Sequence, residues 1–517
     1  MSPLAQSTGK AGALRRSTTT SGLSRERESS VVFPEFEDAD LLNRSRFQGN
    51  EMGAYNVLAR RVMAPTLDVI RGTHCMSSLA ELEASQWWPL ERIEALQMER
   101  LVQTIEHAYA HVPYYRLVMQ ERSISPREIR TVFDLSRLPV LTKALVRSHM
   151  KELIADDIER GDLIRSETGG STGSPLVFFT TRGDRYSYGH SRGLLAMEWA
   201  GIALGDKVTT LVQHQVSAPT WLERRIKPLS AMFRRNMRVP LASLSDQNLD
   251  SVVRLVHETK PRALAAYPST LALLSSYIRD SGRSVPALHA VLTGGEQIFE
   301  HQRALVRGVF GVEPYSRYGT HENFLLATEC EAHVGMHVFA QDLVLEIVDD
   351  NGSPVGAGTE GRVLVTNLHA RGMPFIRYDT GDVGSYAVAP CPCGRSMPLL
   401  DRLSGRRCDT IYTRSGGRIV GNGIERDGFA LLGVTQLQYV QEDLDHFTAR
   451  FVVPGVSTTE AQDMFRLQAT DMLRRSLGPD ISITVELVER IETSPAGKYV
   501  PVISKVDPNS WLNRPAS

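Results

Sequence analysis

Ser166-Glu167-Thr168-Gly169-Gly170-Ser171-Thr172-Gly173-Ser174-Pro175 crowds hydroxyls and glycines together, and Leu176-Val177-Phe178-Phe179 follows as a strand-like apolar run. Glycine lets the backbone approach a ligand closely and adopt positive φ. Successive amide N–H groups and hydroxyls then line a concavity suited to phosphate oxygens, which points to nucleotide chemistry. No Gly-Lys-Ser/Thr closes the loop, so it is not a Walker loop, and it lacks the strand-then-GxGxxG order of a dinucleotide fold. A solvated Gly/Ser loop has the same composition, so its company must decide.

That company is four further clusters. Thr293-Gly294-Gly295-Glu296 follows a predicted strand, at the end where α/β sheets bind ligands. Arg317-Tyr318-Gly319-Thr320-His321-Glu322 sets an aromatic ring, a hydroxyl and a carboxylate side by side. Arg377-Tyr378-Asp379-Thr380-Gly381-Asp382 places Asp382 after a tight turn, and Thr493-Ser494-Pro495-Ala496-Gly497-Lys498 brings an ammonium near the C-terminus. Each has a plain structural alternative: Tyr318 as core, Gly294-Gly295 as a turn, Asp382 bonded to its own backbone, Glu322 on the surface. A separate group, Cys330-Glu331-Ala332-His333-Val334-Gly335-Met336-His337, precedes Cys391-Pro392-Cys393. Thiolates and imidazoles in two short clusters suit tetrahedral zinc, although Cys-x-Cys is tighter than the usual spacing. His333 and His337 compete for one place, and buried reduced cysteines would show the same pattern. Cys75 has no partner pattern.

The elements that position these groups follow from periodicity. Residues 50–160 read as mostly helical: Leu90, Ile93, Met98, Leu101, Ile105, Tyr109 and Val112 recur at helical spacing, and Pro113 ends that helix. Ser125-Pro126-Arg127-Glu128 is a capping box with proline in the first turn. From 205 to 312, apolar runs at 208–212, 263–266 and 290–293 alternate with helical patterns, the signature of an α/β sheet layered by helices. Runs at 343–348 and 362–366 flank Asp349-Asp350-Asn351-Gly352 and predict a more antiparallel, hairpin-rich region. Beyond a boundary at 401–409, strands at 435–440, 447–453 and 481–488 and a helix at 458–477 predict a small α+β domain. Residues 1–30 are Ser-, Thr-, Arg- and Gly-rich and read as a disordered tail.

Bulk composition sets the class. A chain of 517 residues exceeds one core, and 42% hydrophobic with 23% charged content is ordinary for a soluble globular protein. A formal net charge of −1 gives no signal for nucleic acid or an anionic membrane. No apolar run approaches the ~18 residues of a membrane span. The N-terminus has no hydrophobic core for a secretion signal. Five cysteines in so long a chain make no disulfide framework, so the expected compartment is the reducing cytoplasm.

In this order the clusters resemble the adenylate-forming superfamily, and more closely the phenylacetate–CoA ligase family in its branch named after capsular polysaccharide biosynthesis proteins. The likeness runs from about Leu90 to Val506 and includes Val112-Pro113-Tyr114-Tyr115, Leu138-Pro139-Val140-Leu141-Thr142-Lys143, Cys391-Pro392-Cys393-Gly394-Arg395 and Val502-Ile503-Ser504-Lys505. It implies an α/β fold: a large multi-subdomain adenylation domain (31–404) with a helical N-terminal region, then a mobile small α+β domain (405–517) carrying the catalytic lysine. It implies ATP-dependent formation of an acyl adenylate and transfer to coenzyme A, with a carboxylic acid as substrate and a homodimer as the assembly. Transfer of the acyl group or AMP to an amine, hydroxyl or carrier protein is the alternative, and a catalytically lapsed nucleotide-binding protein is another.

The resemblance assigns roles residue by residue. Thr168, Ser171, Thr172 and Gly173 hold the triphosphate; Ser174 stands where the family usually has lysine. Gly294, Gly295 and Glu296 run along the base, Tyr318 stacks on adenine, and Gly319 and Thr320 complete that motif. Glu322 binds Mg²⁺, Asp382 accepts both ribose hydroxyls, and Arg406 contacts ribose. Lys498 bridges the attacking carboxylate and the α-phosphate. Cys408 occupies the usual hinge-aspartate position, with Asp409 next to it. His214 matches a pocket-gating position in some members. Cys330, Cys391, Cys393 and one of His333 and His337 imply structural zinc; His337, matching a Gly-x-His of the family, has the substrate pocket as its other expectation.

Overall fold

The computed structural model describes residues 53–168, 176–212, 235–240, 246–406, 410–412, 418–420, 429, 432–477, 481–492 and 500–506. The predicted tail, Ser171, Thr172, Gly173, Ser174, His214, Cys408, Asp409 and Lys498 lie outside them.

Helices dominate the first part, as periodicity predicts. The long helix Leu90–His111 buries Ile93, Leu101, Ile105 and Ala108 along one stripe. Pro113 does more than end it: with Val112 extended, Pro113 is the first residue of a second helix, Pro113–Glu121. Proline suits that position because its missing N–H has no intrahelical partner there anyway. The capping box at Ser125 and Glu128 is present on a single 3₁₀ turn, Pro126–Glu128.

Two strands, β1 (Ile164–Glu167) and β2 (Val177–Thr180), form an antiparallel hairpin with Glu167 opposite Val177. The Gly/Ser loop is therefore the connection of a hairpin. Next come β3 (Val208–Val212), β4 (Asn236–Pro240), β5 (Ala263–Ala266), β6 (Ala290–Gly294) and β7 (Pro314–Thr320). These five pair in parallel in the order β7-β6-β5-β3-β4. All four residues of β5 are buried, as expected of a parallel strand covered on both faces. Leu264, Val291 and Leu211 pack one face against the helices Asp246–Thr259, Pro268–Asp280 and Glu300–Phe310. Ala263, Ala265, Ala290 and Leu292 pack the other face with Met197 of the helix His190–Trp199.

The sheet continues antiparallel through β8 (Phe324–Glu329), β9 (Met336–Val338), β10 (Leu343–Val348), β11 (Gly361–Asn367), β12 (Tyr378–Tyr386) and β13 (Leu399–Arg406). The result is one eleven-stranded sheet, β10-β11-β12-β13-β9-β8-β7-β6-β5-β3-β4. Gly405 and Arg406 pair with Val383 and Asp382, so this sheet runs through the expected domain boundary.

A short hairpin, β14 (Thr410–Tyr412) with β15 (Arg418–Val420), precedes a four-stranded sheet of β16 (Gln436–Gln441), β17 (His446–Val452), β18 (Ser482–Leu487) and β19 (Val502–Ser504), ordered β18-β17-β16-β19. Phe465, Ala469, Leu473 and Leu477 of the helix Thr459–Leu477 pack on Phe447, Ala449 and Phe451. This is the small α+β unit the patterning predicts, with β19 as an added strand.

One buried ion pair anchors the start of β12. Arg377, 2% exposed, holds a left-handed φ of 51°. Its Nε donates to both Glu346 oxygens (3.1 and 3.2 Å), Nη1 to the Leu138 carbonyl (2.9 Å) and Nη2 to the Gly352 carbonyl (2.7 Å). Burial pushes the Glu346 carboxyl up, against the pull of Arg377. Removing one partner of such a pair leaves a buried charge without compensation, so Arg377→Met is expected to destabilise by about 3–5 kcal/mol. Urea denaturation checks this; a midpoint equal to wild type would show the pair to be dispensable.

Candidate functional site

The carboxyl ends of the parallel strands carry the first predicted group. Gly294 ends β6, and a Cβ there would come within 2.8 Å of the Arg317 carbonyl on β7. Gly295 has φ +81°, and its Cβ would strike the Tyr267 ring at 2.7 Å. Both positions therefore require glycine. Glu296 does not lie idle beside them: its Oε2 accepts from the Ser269 N–H (3.2 Å) at the start of the helix Pro268–Asp280. A carboxylate there satisfies a helix-end donor and complements the helix dipole. Gly319 follows a bulge between β7 and β8, where a Cβ would lie 2.5 Å from the Phe324 carbonyl. Thr320 Oγ1 accepts from the Asn323 N–H (3.1 Å), closing the turn that presents Glu322.

The aromatic and acidic groups converge from distant segments. The Tyr318 hydroxyl donates to Asp382 Oδ2 at 2.8 Å, across 64 residues of sequence. Thr380 steadies the pair, since its Oγ1 accepts from the Asp382 N–H (3.1 Å) and lies 3.4 Å from the Tyr318 hydroxyl. Gly381, at φ +82°, makes that turn. The backbone of Arg406 on β13 stands opposite Asp382 in register. Lys143 Nζ donates to the Thr380 carbonyl (3.3 Å), placing an ammonium near the turn.

Glu322 is buried, and its Oε1 accepts from the Tyr378 hydroxyl at 2.6 Å. Burial raises the Tyr378 phenol well above its ordinary value, with the charges of Glu322, Asp379 and Asp382 adding to it. The phenol is consequently a donor at any working pH. Thr168 bonds within its own hairpin: its Oγ1 accepts from the Leu176 N–H (2.9 Å), and its own N–H donates to the Leu176 carbonyl (2.9 Å). Thr168 thereby closes the neck of the predicted phosphate loop.

The sulfur cluster forms one centre. Cys330 Sγ is 3.6 Å from Cys391 Sγ, and Cys393 Sγ is 3.3 Å from His337 Nε2. All four donor atoms lie within 4.8 Å of one another. Zinc–sulfur bonds of ~2.3 Å at the tetrahedral angle require edges of about 3.8 Å, so the donor set fits zinc. His337 Nδ1 faces the Met397 carbonyl at 3.3 Å, which leaves Nε2 toward the sulfurs. Hydrogen bonding from Cys330, joined by His337 and Arg395, holds the Cys393 thiol below its ordinary value despite burial. His333 is elsewhere, 3.0 Å from Glu329 and packed on the Tyr315 ring. His337 is fully buried.

Sequence reasoning missed three supporting residues. Tyr378 and Lys143 stand inside motifs singled out above, but their partners are distant in sequence. Arg395 braces the sulfur centre: its guanidinium lies 4.7 Å from the Trp87 ring and 4.5 Å from the Trp199 ring, and bonds Glu331 at 3.0 Å. Trp199 in turn meets His337 edge to face, with centroids 5.6 Å apart.

The large mixed sheet and the smaller α+β unit match the fold of adenylate-forming ligases. Among solved structures, 2-hydroxyisobutyryl-CoA ligase in its postadenylation state superposes with a TM-score of 0.68 at 21% identity, over 82% of this chain and 92% of that one. The curated relatives are phenylacetate–coenzyme A ligases and CapK. The chain is 29% identical over 337 residues to the phenylacetate-coenzyme A ligase of Thermus thermophilus, spanning 63% of this chain and 73% of the relative. It is 21% identical over 420 residues to protein CapK of Staphylococcus aureus, spanning 78% and 87%. No protein-family profile matches the chain. Among the described residues no helix is long and apolar enough to cross a membrane.

Proposed function

We propose that the protein is an AMP-forming acid–thiol ligase. A carboxylate attacks the α-phosphorus of ATP and pyrophosphate leaves; a thiol, that of coenzyme A, then attacks the acyl adenylate and AMP leaves. The observation that carries this reading is the meeting of Tyr318 with Asp382 and of Tyr378 with Glu322, which sets an aromatic ring and two carboxylates around one turn of β12.

Within this reading Tyr318 offers its face to adenine, and Asp382 accepts hydrogen bonds from the ribose hydroxyls. The Gly/Ser loop closed by Thr168 holds the phosphates. Glu322 fits a magnesium site, since Tyr378 fixes one of its oxygens. Bound Mg²⁺ would supply charge neutralisation at the phosphates. Lys498 places its ammonium where negative charge develops between acid and phosphate. Cys330, His337, Cys391 and Cys393 hold a structural zinc that ties β8 and β9 to the turn before β13. Homodimer assembly and a cytoplasmic setting belong to the same proposal.

Two measurements test it. ATP–pyrophosphate exchange driven by a carboxylic acid is expected in wild type and to fall by about 10²-fold or more in Lys498→Ala, as for removal of a transition-state charge contact. Absence of exchange across aromatic and aliphatic acids in magnesium-loaded protein contradicts the reading. Product analysis with and without coenzyme A identifies the acceptor. Metal analysis is expected to find about one zinc per chain, retained in His333→Ala and lost in His337→Ala or Cys391→Ser. Zinc-free, fully soluble wild type contradicts the metal assignment.

A further inference from the structure

Arg192, on the helix His190–Trp199, is 0% exposed, and the ligase reading gives it no task. Its Nη2 donates to the Asn323 carbonyl at 3.0 Å, and its Nε faces Asp342 Oδ2 at 3.8 Å. Asp342 is itself buried; its Oδ1 accepts from Arg100 Nη1 (3.1 Å) and lies 2.8 Å from His369 Nε2. A cation so far from water would be costly without that carboxylate. Because the donor is charged, its bond to the Asn323 carbonyl is stronger than a neutral one.

The carbonyl it holds belongs to the residue after Glu322. On the other side of the turn, the Asn323 N–H donates to Thr320 Oγ1 at 3.1 Å. Phe324 then takes a φ of 60°, in the left-handed region that a bulky side chain rarely adopts. Such a conformation persists only where its surroundings over-determine it. Two contacts do so here. Arg192 fixes the plane of the Asn323–Phe324 peptide, and the Phe324 ring lies against Gly189, where a Cβ would come within 2.8 Å of it. Gly189 and Arg192 share one stretch of chain, which follows β2 through the π-helical turns Gly183–Gly189 into the helix. Tyr188 in those turns stacks on His369 at 3.4 Å, a second tie to Asp342. The turn that carries Glu322 thus rests on the segment that leaves the phosphate-loop hairpin.

We propose that Arg192 is a positioning residue for Glu322. By holding the Asn323–Phe324 peptide it sets the Glu322 carboxylate where magnesium bound to the triphosphate meets it. The proposal rests on the ligase reading and deepens it. Arg192 touches neither nucleotide nor acid in this account; it acts through the turn alone. Binding that needs the metal should therefore depend on it, and binding that does not should be indifferent to it.

Calorimetric titration with α,β-methylene ATP, which cannot be cleaved to an adenylate, separates the two. Wild type, Arg192→Lys, Arg192→Met and Glu322→Gln are each titrated in excess Mg²⁺ and in EDTA, and with AMP. Magnesium is expected to tighten the analogue in wild type. Arg192→Met loses most of that gain, about tenfold for a lost charge-assisted contact, and Arg192→Lys keeps part of it. AMP affinity and analogue affinity in EDTA stay within about twofold of wild type, as for sites that share no partner. Arg192→Met combined with Glu322→Gln loses no more than Glu322→Gln alone, because both act on one contact. Gly189→Ala, which displaces the Phe324 ring without touching Arg192, gives the same signature and decides the matter if Arg192→Met fails to fold. An undiminished magnesium gain in the folded variants, additive losses in the double variant, or equal losses with and without magnesium would overturn the proposal. A magnesium gain abolished in Glu322→Gln and intact in the Arg192 variants overturns this proposal alone. A wild type that binds neither AMP nor the analogue overturns the ligase reading itself.

Discussion

The site depends on the ion pair between Arg377 and Glu346. Positive φ at a residue other than glycine costs of order 1–3 kcal/mol and persists only where surrounding contacts over-determine it. Arg377 meets that condition: its guanidinium is shared among Glu346, Leu138 and Gly352, its N–H bonds Thr366, and its carbonyl accepts from the Leu141 N–H. The residues that follow inherit a fixed direction. Tyr378 turns to Glu322, Asp379 to Arg362, and Asp382 to Tyr318. A shift at Arg377 would move all of these groups together.

The sheet explains why these groups meet. β7 is the seam at which parallel pairing with β6 changes to antiparallel pairing with β8. Tyr318 sits on that seam, between the glycine-rich strand ends and the acidic turn of β12. Gly294 and Gly319 keep side chains out of the space between neighbouring backbones. The sulfur centre and Arg395, clasped by two tryptophans, stiffen the antiparallel side.

Much of this was legible in the sequence, and the limits were physical. Mostly buried parallel strands announce themselves as apolar runs, so β3, β5 and β6 were readable, as were the strands and helix of the small unit. The start of a helix at Pro113 was not, because proline stops one helix and begins another with equal ease. β19 is three residues long and pairs with β16 from far away in sequence. Spacing left His333 and His337 equivalent; only the fold turns His337 to the sulfurs and His333 to Glu329. Glu296 also accepts from the Ser269 N–H at the start of a neighbouring helix, a contact that no local pattern announces.

The central claim is that Tyr318 and Asp382 form one nucleoside site. Equilibrium binding of AMP to wild type and to Asp382→Ala tests it most directly. The account predicts that the variant loses about tenfold or more in affinity, as expected when a charged acceptor of hydrogen bonds is removed, while keeping its fold by circular dichroism. Unchanged AMP affinity in a folded Asp382→Ala protein would contradict it.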